Sequence, residues 1–348
     1  DHDEYIHLPG GALSERNGRF DIRITEELRE VTYLDEARLI AADHPADVEL
    51  FTNDKFKSPP FPEFRLFGVK RRVYPVAARQ DGIDVRSKLL RLDGVYPTFR
   101  RDLMGQAETH TLDLDFGSAA PDNRAVLVMS GWVDWADGST FLNAAQTGNR
   151  PLVFPSVQVK DASGNWRTVI EDVGIPSGTP KTIVVDLTGK FLSASREVRI
   201  VTNLCVYWDR IFLSEETASP PVRMTEAKAL AADLRLRGFS RNVVHATREQ
   251  PEYFEYSQWT PAAPWDQAPG KYTRYGDVHD LILAADDRYV IMGPGDEIRL
   301  EFDARSLPPL PAGLARPVPA AYPPPPPPPP PPPIDDGFEL QRPGDKPA

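Results

Sequence analysis

The residues best equipped for chemistry sit in one segment, Gly131-Trp-Val-Asp-Trp-Ala-Asp-Gly138. Aromatic faces stack on sugar rings, so Trp132 and Trp135 are candidate carbohydrate platforms. Asp134 and Asp137 offer oxygen ligands to a hard cation, and Ca²⁺ is the one cofactor this chemistry suggests. A structural reading competes with both. In it the tryptophans cap a core at a strand end and the aspartates occupy a turn. A second aromatic group runs through Tyr253-Phe-Glu-Tyr256, Trp259 and Trp265, with Tyr272 and Tyr275 beyond, among prolines. It reads as a binding surface, or as a long ordered loop pinned to the body by its rings; the loop is the preferred expectation.

No familiar catalytic motif is present: G-x-S-x-G, H-E-x-x-H and C-x-x-C are all missing. Gly189-Lys190 ends like a phosphate loop, but Val184 stands where the first glycine is required. Gly293-Pro-Gly295 opens like a dinucleotide fingerprint, but residue 298 is Ile. The histidines, His2, His7, His44, His110, His245 and His279, are scattered and show no metal-ligand spacing. Cys205 lies in the apolar run Val201-Thr-Asn-Leu-Cys-Val-Tyr-Trp208 with no adjacent base to activate it, as a buried inert thiol would. The expectation is a protein with no catalytic residues.

The elements that must position these groups are strands. Thr111-Leu-Asp-Leu-Asp-Phe116 puts Leu112, Leu114 and Phe116 on one face and the carboxylates on the other. Residues 197–201 and 297–302 repeat that alternation. Residues 124–129 and 181–186 are more continuously apolar, as central strands are. Asp161-Ala-Ser-Gly-Asn165 and Gly293-Pro-Gly-Asp296 read as hairpin loops. Helical spacing is confined to the short stretches 85–92 and 278–285, and residues 25–39 read mostly as strand.

Of 348 residues, 40 are basic and 51 acidic, a formal charge of −11 that argues against a nucleic-acid partner. The basic runs Lys70-Arg71-Arg72 and Arg100-Arg101 then read as ion-pair partners. No apolar stretch approaches the ~18 residues of a membrane-spanning helix. The chain begins with Asp1, as expected if a preceding segment has been removed or the chain is part of something longer. Of 37 prolines, 18 fall from Pro308 onward, and residues 323–333 are eleven prolines in a row. Such a run forms a polyproline II rod of roughly 34 Å, a spacer or docking peptide outside the core.

Residues 109–213 resemble a galactose-binding-type jelly roll. The likeness rests on Leu112-Asp-Leu-Asp-Phe-Gly117, Val157-Gln-Val-Lys-Asp-Ala-Ser-Gly-Asn-Trp166, Arg196-Glu-Val-Arg-Ile200 and Trp208-Asp-Arg-Ile211. More of the chain, about residues 1–313, resembles a β-rich C-terminal region of large secreted proteins of acidobacterial type. There the region lies beyond FG-GAP, ASPIC/UnbV-like or tetratricopeptide segments. The matching stretches are Phe51-Thr-Asn-Asp-Lys-Phe56, Pro59-Pro-Phe-Pro-Glu-Phe64, Gly131-Trp-Val-Asp134, Asp186-Leu-Thr-Gly-Lys190, Tyr207-Trp-Asp209 and Tyr272-Thr-Arg-Tyr-Gly-Asp277. The resemblance implies an exported, non-catalytic, extracellular or surface-bound module, with the periplasm as an alternative setting. It brings no ligand residues with it. The pattern departs after Leu307-Pro-Pro-Leu-Pro-Ala-Gly313, where an expected apolar strand gives way to the proline-rich tail.

The expected fold is therefore all-β: jelly-roll or β-sandwich modules with a polyproline tail. The expected boundaries are 1–107, 108–215, 216–307 and 308–348, with the two segments flanking the jelly roll packing together. The expected role is structural or adhesive, through protein contacts or self-assembly. Carbohydrate binding on the jelly roll is the alternative, and a hydrolase a distant third.

Overall fold

The computed structural model describes residues 5–8, 13–52, 55–57, 59–62, 64–103, 105–118, 124–134, 142–143, 146, 151–176, 180–214, 221–246, 250–264, 268–309 and 314–315. The protein is all-β, with several antiparallel sheets and, among the described residues, no helix of seven residues or more. Among the described residues no helix is long and apolar enough to cross a membrane. The proline run lies outside them.

Two compact units divide the chain. The first takes Asp1–His7, Ala46–Pro221 and Val244–Glu252; the second takes Leu8–Pro45, Val222–Val243 and Tyr253–Ala348. In chain order, β1 (Arg19–Thr25), β2 (Thr32–Leu34) and β3 (Leu39–Pro45) belong to the second unit. The first unit then supplies β4 (Glu49–Thr52), β5 (Leu66–Val69), β6 (Ala77–Gln80), β7 (Ile83–Asp84), β8 (Arg101–Leu103) and β9 (Gln106–Ser118). It continues with β10 (Val126–Val133), β11 (Ser156–Lys160), β12 (Trp166–Ile170), β13 (Lys181–Asp186), β14 (Ser195–Leu204) and β15 (Val206–Ser214). The second unit resumes with β16 (Arg223–Ala227), β17 (Ala229–Leu236), β18 (Phe239–Val243) and β19 (Tyr253–Thr260). It ends with β20 (Gly276–Asp277), β21 (Val290–Met292), β22 (Asp296–Asp303) and β23 (Leu314–Ala315).

The first unit is a sandwich. One sheet has the order β12-β11-β14-β9-β6-β7, with β8 also on β9; the other is β13-β10-β15. Between them lie Leu112, Leu114 and Phe116 of β9, Val157 and Val159 of β11, and Val198 and Ile200 of β14. Facing them are Leu127 and Met129 of β10, Ile183 and Val185 of β13, and Ile211 and Leu213 of β15. Each such side chain contributes about 1.5–3 kcal/mol on leaving water. All of β10 is buried, because its other face is covered too. There Val126, Val128, Val184 and Phe212 pack against Phe51, Phe67 and Val69 of the β4–β5 hairpin. This third layer explains why residues 124–129 and 181–186 lack alternation: both of their faces are apolar environments. It also corrects the expected boundary at residue 107. The β4–β5 hairpin and the β6 strand, which pairs with β9, are part of the sandwich unit.

Gly131 marks a bulge between β10 and β15, where Ser130 pairs with Arg210 but Gly131 with Trp208, leaving Asp209 as the extra residue. A Cβ at Gly131 would lie 2.3 Å from the Tyr207 carbonyl oxygen, so only glycine allows this approach.

The second unit centres on the sheet β1-β22-β17-β20. Phe20, Ile22 and Ile24 of β1 and Ile298, Leu300 and Phe302 of β22 turn inward onto Leu234, Val278, Ile282, Val290 and Met292. Outward, the Arg299 guanidinium bridges Asp21 at 2.8 Å. Among the described residues the unit also has three small sheets, β16-β3-β23, β2-β21 and β18-β19.

Several local expectations are corrected. Residues 293–296 do not close a hairpin: β21 pairs with β2, while β22 pairs with β1 and β17, so this turn changes sheet. Of residues 25–39, only Thr32–Leu34 forms a strand of its own, β2, while Thr25 ends β1 and Leu39 begins β3. The helical spacings at 85–92 and 278–285 become single 3-10 turns, Arg86–Leu89 and His279–Leu281, too short to nucleate an α-helix. Residues 253–260, expected as loop, form β19, in keeping with the strand preference of aromatic residues.

Candidate binding surface

Strands β18 and β19 form a two-stranded hairpin that brings three of the sequence candidates together. Tyr253, Tyr256 and Trp259 are 46%, 61% and 46% exposed. Ser240 pairs with Trp259 but Arg241 pairs with Glu255, so Tyr256, Ser257 and Gln258 stand off the ladder. A hairpin of two strands is marginal alone. This one is anchored by a buried polar network that the sequence analysis missed.

Glu27 is its centre. Its Oε2 accepts the Ser240 backbone N–H at 2.7 Å and its Oε1 the Ser240 hydroxyl at 2.6 Å. Arg237 donates to Glu27 Oε1 at 3.2 Å and, through its other terminal nitrogen, to the Tyr256 carbonyl oxygen at 2.6 Å. The backbone under Tyr256 is thereby held; its side chain is largely exposed, while partial burial, with the Glu27 charge nearby, raises the pKa of its hydroxyl. Arg237 Nε also lies 3.4 Å from Glu297, which Arg235 approaches from another side at 2.9 Å. Burial of Glu27 and Glu297 is tolerable because each carboxylate meets guanidinium and hydrogen-bond donors. Gly238, with φ +102°, lets β18 begin against β19; a Cβ there would sit 2.6 Å from the Thr260 carbonyl oxygen. The signal available in the sequence was the pair Glu26-Glu27 beside the Arg235–Arg237 run, but nothing local says that they meet.

The remaining aromatic candidates divide. Tyr275 donates to Asp296 at 2.8 Å, Tyr272 donates to the Ala268 carbonyl at 2.6 Å, and Trp265 lies outside the described residues. Trp132 is a core residue, 2% exposed. Its ring stacks on Tyr207 at 4.4 Å and 8°, and Tyr96 meets it edge-on at 6.1 Å. This packing corrects its expected place on a solvent-facing sugar platform. Trp135 and Asp137 lie outside the described residues. Asp134 is buried, 3.4 Å from Arg101, with its backbone N–H donating to the Cys205 carbonyl oxygen at 2.8 Å. A cation already faces it, which is a different environment from the Ca²⁺ site expected with Asp137. Among the described residues no cluster of three or more His, Cys, Asp or Glu is arranged to hold a metal.

Burial shifts the pKa of four groups, each in its own place in the sandwich unit. Burial pushes the Cys205 thiol up to about 12, helped by the nearby Asp134 charge. Burial raises Asp209 to about 6, against the backbone N–H groups of Asp93 and Gly94 that it accepts. Burial lowers Lys55 to about 8; its ammonium donates to the Val184 carbonyl oxygen at 3.1 Å. His110 stacks on Phe99 at 4.7 Å, and burial lowers its pKa. A hollow beside Phe67, Val69 and Val126 measures about 10 Å³, room for one water. The described residues thus offer an exposed aromatic strand suited to contact.

Compared with known proteins, the chain matches no family model, no curated protein and no solved structure.

Proposed function

We propose that this protein is a non-catalytic β-sandwich module that works by protein contact, with the β18–β19 hairpin as its binding surface. The observation that carries this reading is the exposure of Tyr253, Tyr256 and Trp259 on a hairpin whose backbone is fixed from beneath. Rigid aromatic side chains bury much area at small entropic cost, which is why they anchor protein interfaces. The setting outside the cell or on its surface rests on the resemblance of residues 1–313 to regions of large secreted proteins. A structural or adhesive role fits both. Carbohydrate binding is the second reading, favoured by the same exposed rings, since Trp and Tyr faces also stack on sugars.

A photo-crosslinking residue at position 256 of the full chain tests this, with the exposed position Ile83 as control. Light-dependent protein adducts at 256 and not at 83 support the protein reading. Retention on insoluble cellulose, chitin or xylan that is lost in Trp259→Ser, with no protein adduct, overturns it in favour of the sugar reading. Neither adduct nor retention overturns both.

A further inference from the structure

We infer that β1 is a dimerisation edge: two copies of this chain pair antiparallel along it, about a two-fold axis at Ile22. The inference goes beyond the protein-contact reading, since β1 belongs to a different sheet from β18 and β19.

The first observation is an open backbone edge. The sheet β1-β22-β17-β20 ends on β1 at one side and on the two-residue β20 at the other. β1 runs seven residues against β22 with no register shift and no proline. The direction of its backbone groups follows from its two ends. The Gly18 carbonyl oxygen accepts the Ala304 N–H at 2.9 Å, and the Glu26 N–H donates to the Asp296 carbonyl oxygen at 2.9 Å. Bonding alternates along an antiparallel ladder, so Phe20, Ile22 and Ile24 turn their backbone groups to β22. Arg19, Asp21, Arg23 and Thr25 turn theirs away from it. Arg19 exchanges both of its groups with Arg16, at 3.1 and 2.9 Å, across the turn at Asn17-Gly18. The outward groups of Asp21, Arg23 and Thr25 have no partner among the described residues. An unpaired edge of this kind is a template for another strand.

The second observation is charge complementarity, which names the strand. Residues 19–25, Arg-Phe-Asp-Ile-Arg-Ile-Thr, complement their own reverse. With Ile22 on the axis, Asp21 stands opposite Arg23 of the second copy, and Arg23 opposite its Asp21. Unlike charges directly opposite stabilise a strand pair and like charges destabilise it. Asp21 and Arg23 both bond outward, so each of these two pairs exchanges two backbone hydrogen bonds, four in all. Other registers lose this match. An axis at Asp21 or at Arg23 sets that residue against itself. An axis at Ile24 faces Arg23 with Thr25, and an axis at Phe20 needs the Arg19 backbone groups that Arg16 already holds. An axis between residues faces outward-bonding groups with inward-bonding ones and crosses the two faces of the sheet.

The third observation is what the side chains do in that register. Phe20, Ile22 and Ile24 are half-buried at the rim of the second unit's core. Across the axis Phe20 meets Ile24 and Ile22 meets Ile22, so the apolar face continues from one copy into the other and loses its remaining contact with water. On the outer face the Asp21 carboxylate is held by Arg299 at 2.8 Å, while the Arg23 side chain is 53% exposed and reachable by a second copy. The contact is small, which suits a dimer that forms with rising concentration.

Sedimentation of the full chain from micromolar to millimolar concentration reads the self-association. The unaltered chain is expected to pass from monomer to dimer and no further, because a two-fold contact closes on itself. Arg23→Pro removes an N–H that β22 does not use, and Arg23→Glu sets like charges opposite each other. Each is expected to weaken self-association at least ~10-fold. Arg23→Glu should do so with the urea midpoint of the parent, and it decides the matter if the proline variant does not fold. Ile22→Cys reads the axis. Copper-catalysed air oxidation is expected to join two copies through residue 22, while the buried Cys205 stays reduced. Thr25→Cys, whose opposite residue is Arg19, is the control and is expected to stay unlinked. A monomer at every concentration, unchanged association in Arg23→Glu, growth past the dimer, or equal linking at positions 22 and 25 overturns the inference. Adducts at position 256 report on the other surface, so the protein-contact reading stands or falls independently of these results.

Discussion

Glu27 grips Ser240 with both carboxylate oxygens, one on the backbone N–H at 2.7 Å and one on the hydroxyl at 2.6 Å. The two residues are 213 positions apart. This contact turns a marginal hairpin into a fixed support for the exposed rings of β19, and it sets the first prediction.

Glu27→Ala leaves Arg237 without one of its carboxylates and orphans two donors on Ser240. Removing one member of a buried ionic network costs about 3–5 kcal/mol. We expect amide protons of β18 to exchange much faster in the variant, with a lower urea midpoint. Unchanged protection at Ser240 would contradict the anchoring role.

Asp209 makes stability depend on pH in the acid range. Its folded value is raised to about 6 from 3.8, so between these values the native state binds more protons than the unfolded one. Its stabilising contribution is complete below about pH 3.8 and is lost as pH rises through 6. The full span is at most about 3 kcal/mol. Asp209→Asn cannot ionise, so its stability relative to the parent should improve between pH 4 and pH 7. Parallel denaturation midpoints for both chains across that range would refute this.

Cys205 is fully buried and its thiol is pushed up to about 12. The thiolate is the reactive form, so the native protein should resist Ellman-type reagents and react fully once unfolded. Stoichiometric labelling of the folded protein within minutes is the contrary result.

Gly131→Ala forces a methyl against the Tyr207 carbonyl oxygen in the bulge between β10 and β15. The expected loss is about 3 kcal/mol, with disturbed near-ultraviolet dichroism from the stacked Trp132 and Tyr207. A variant with parental stability and spectrum would show that the bulge can relax.

The tertiary arrangement decides which aromatic residues are available. Trp132 and Trp259 are both aromatic binding candidates in the sequence. The bulge at Gly131 turns Trp132 onto Tyr207 under Tyr96, whereas the stand-off at residues 256–258 lies beside Trp259 on an exposed hairpin. Bulges are two-strand events, and neither strand alone declares the register that creates one.

Period-two patterning was enough to establish the all-β class, the inward faces of β9, β14 and β22, and the hairpin loop at residues 161–165. It also placed Cys205 in a core. These features are legible because side-chain alternation is a local property of an extended backbone. What covers a face is not local. The β4–β5 hairpin buries the second face of β10, and residues from both ends of the chain build the sheet of β1, β17, β20 and β22. Glu27 meets Ser240 across most of the sequence because burying a carboxylate is tolerable only where donors converge on it, and only the folded chain brings those donors together.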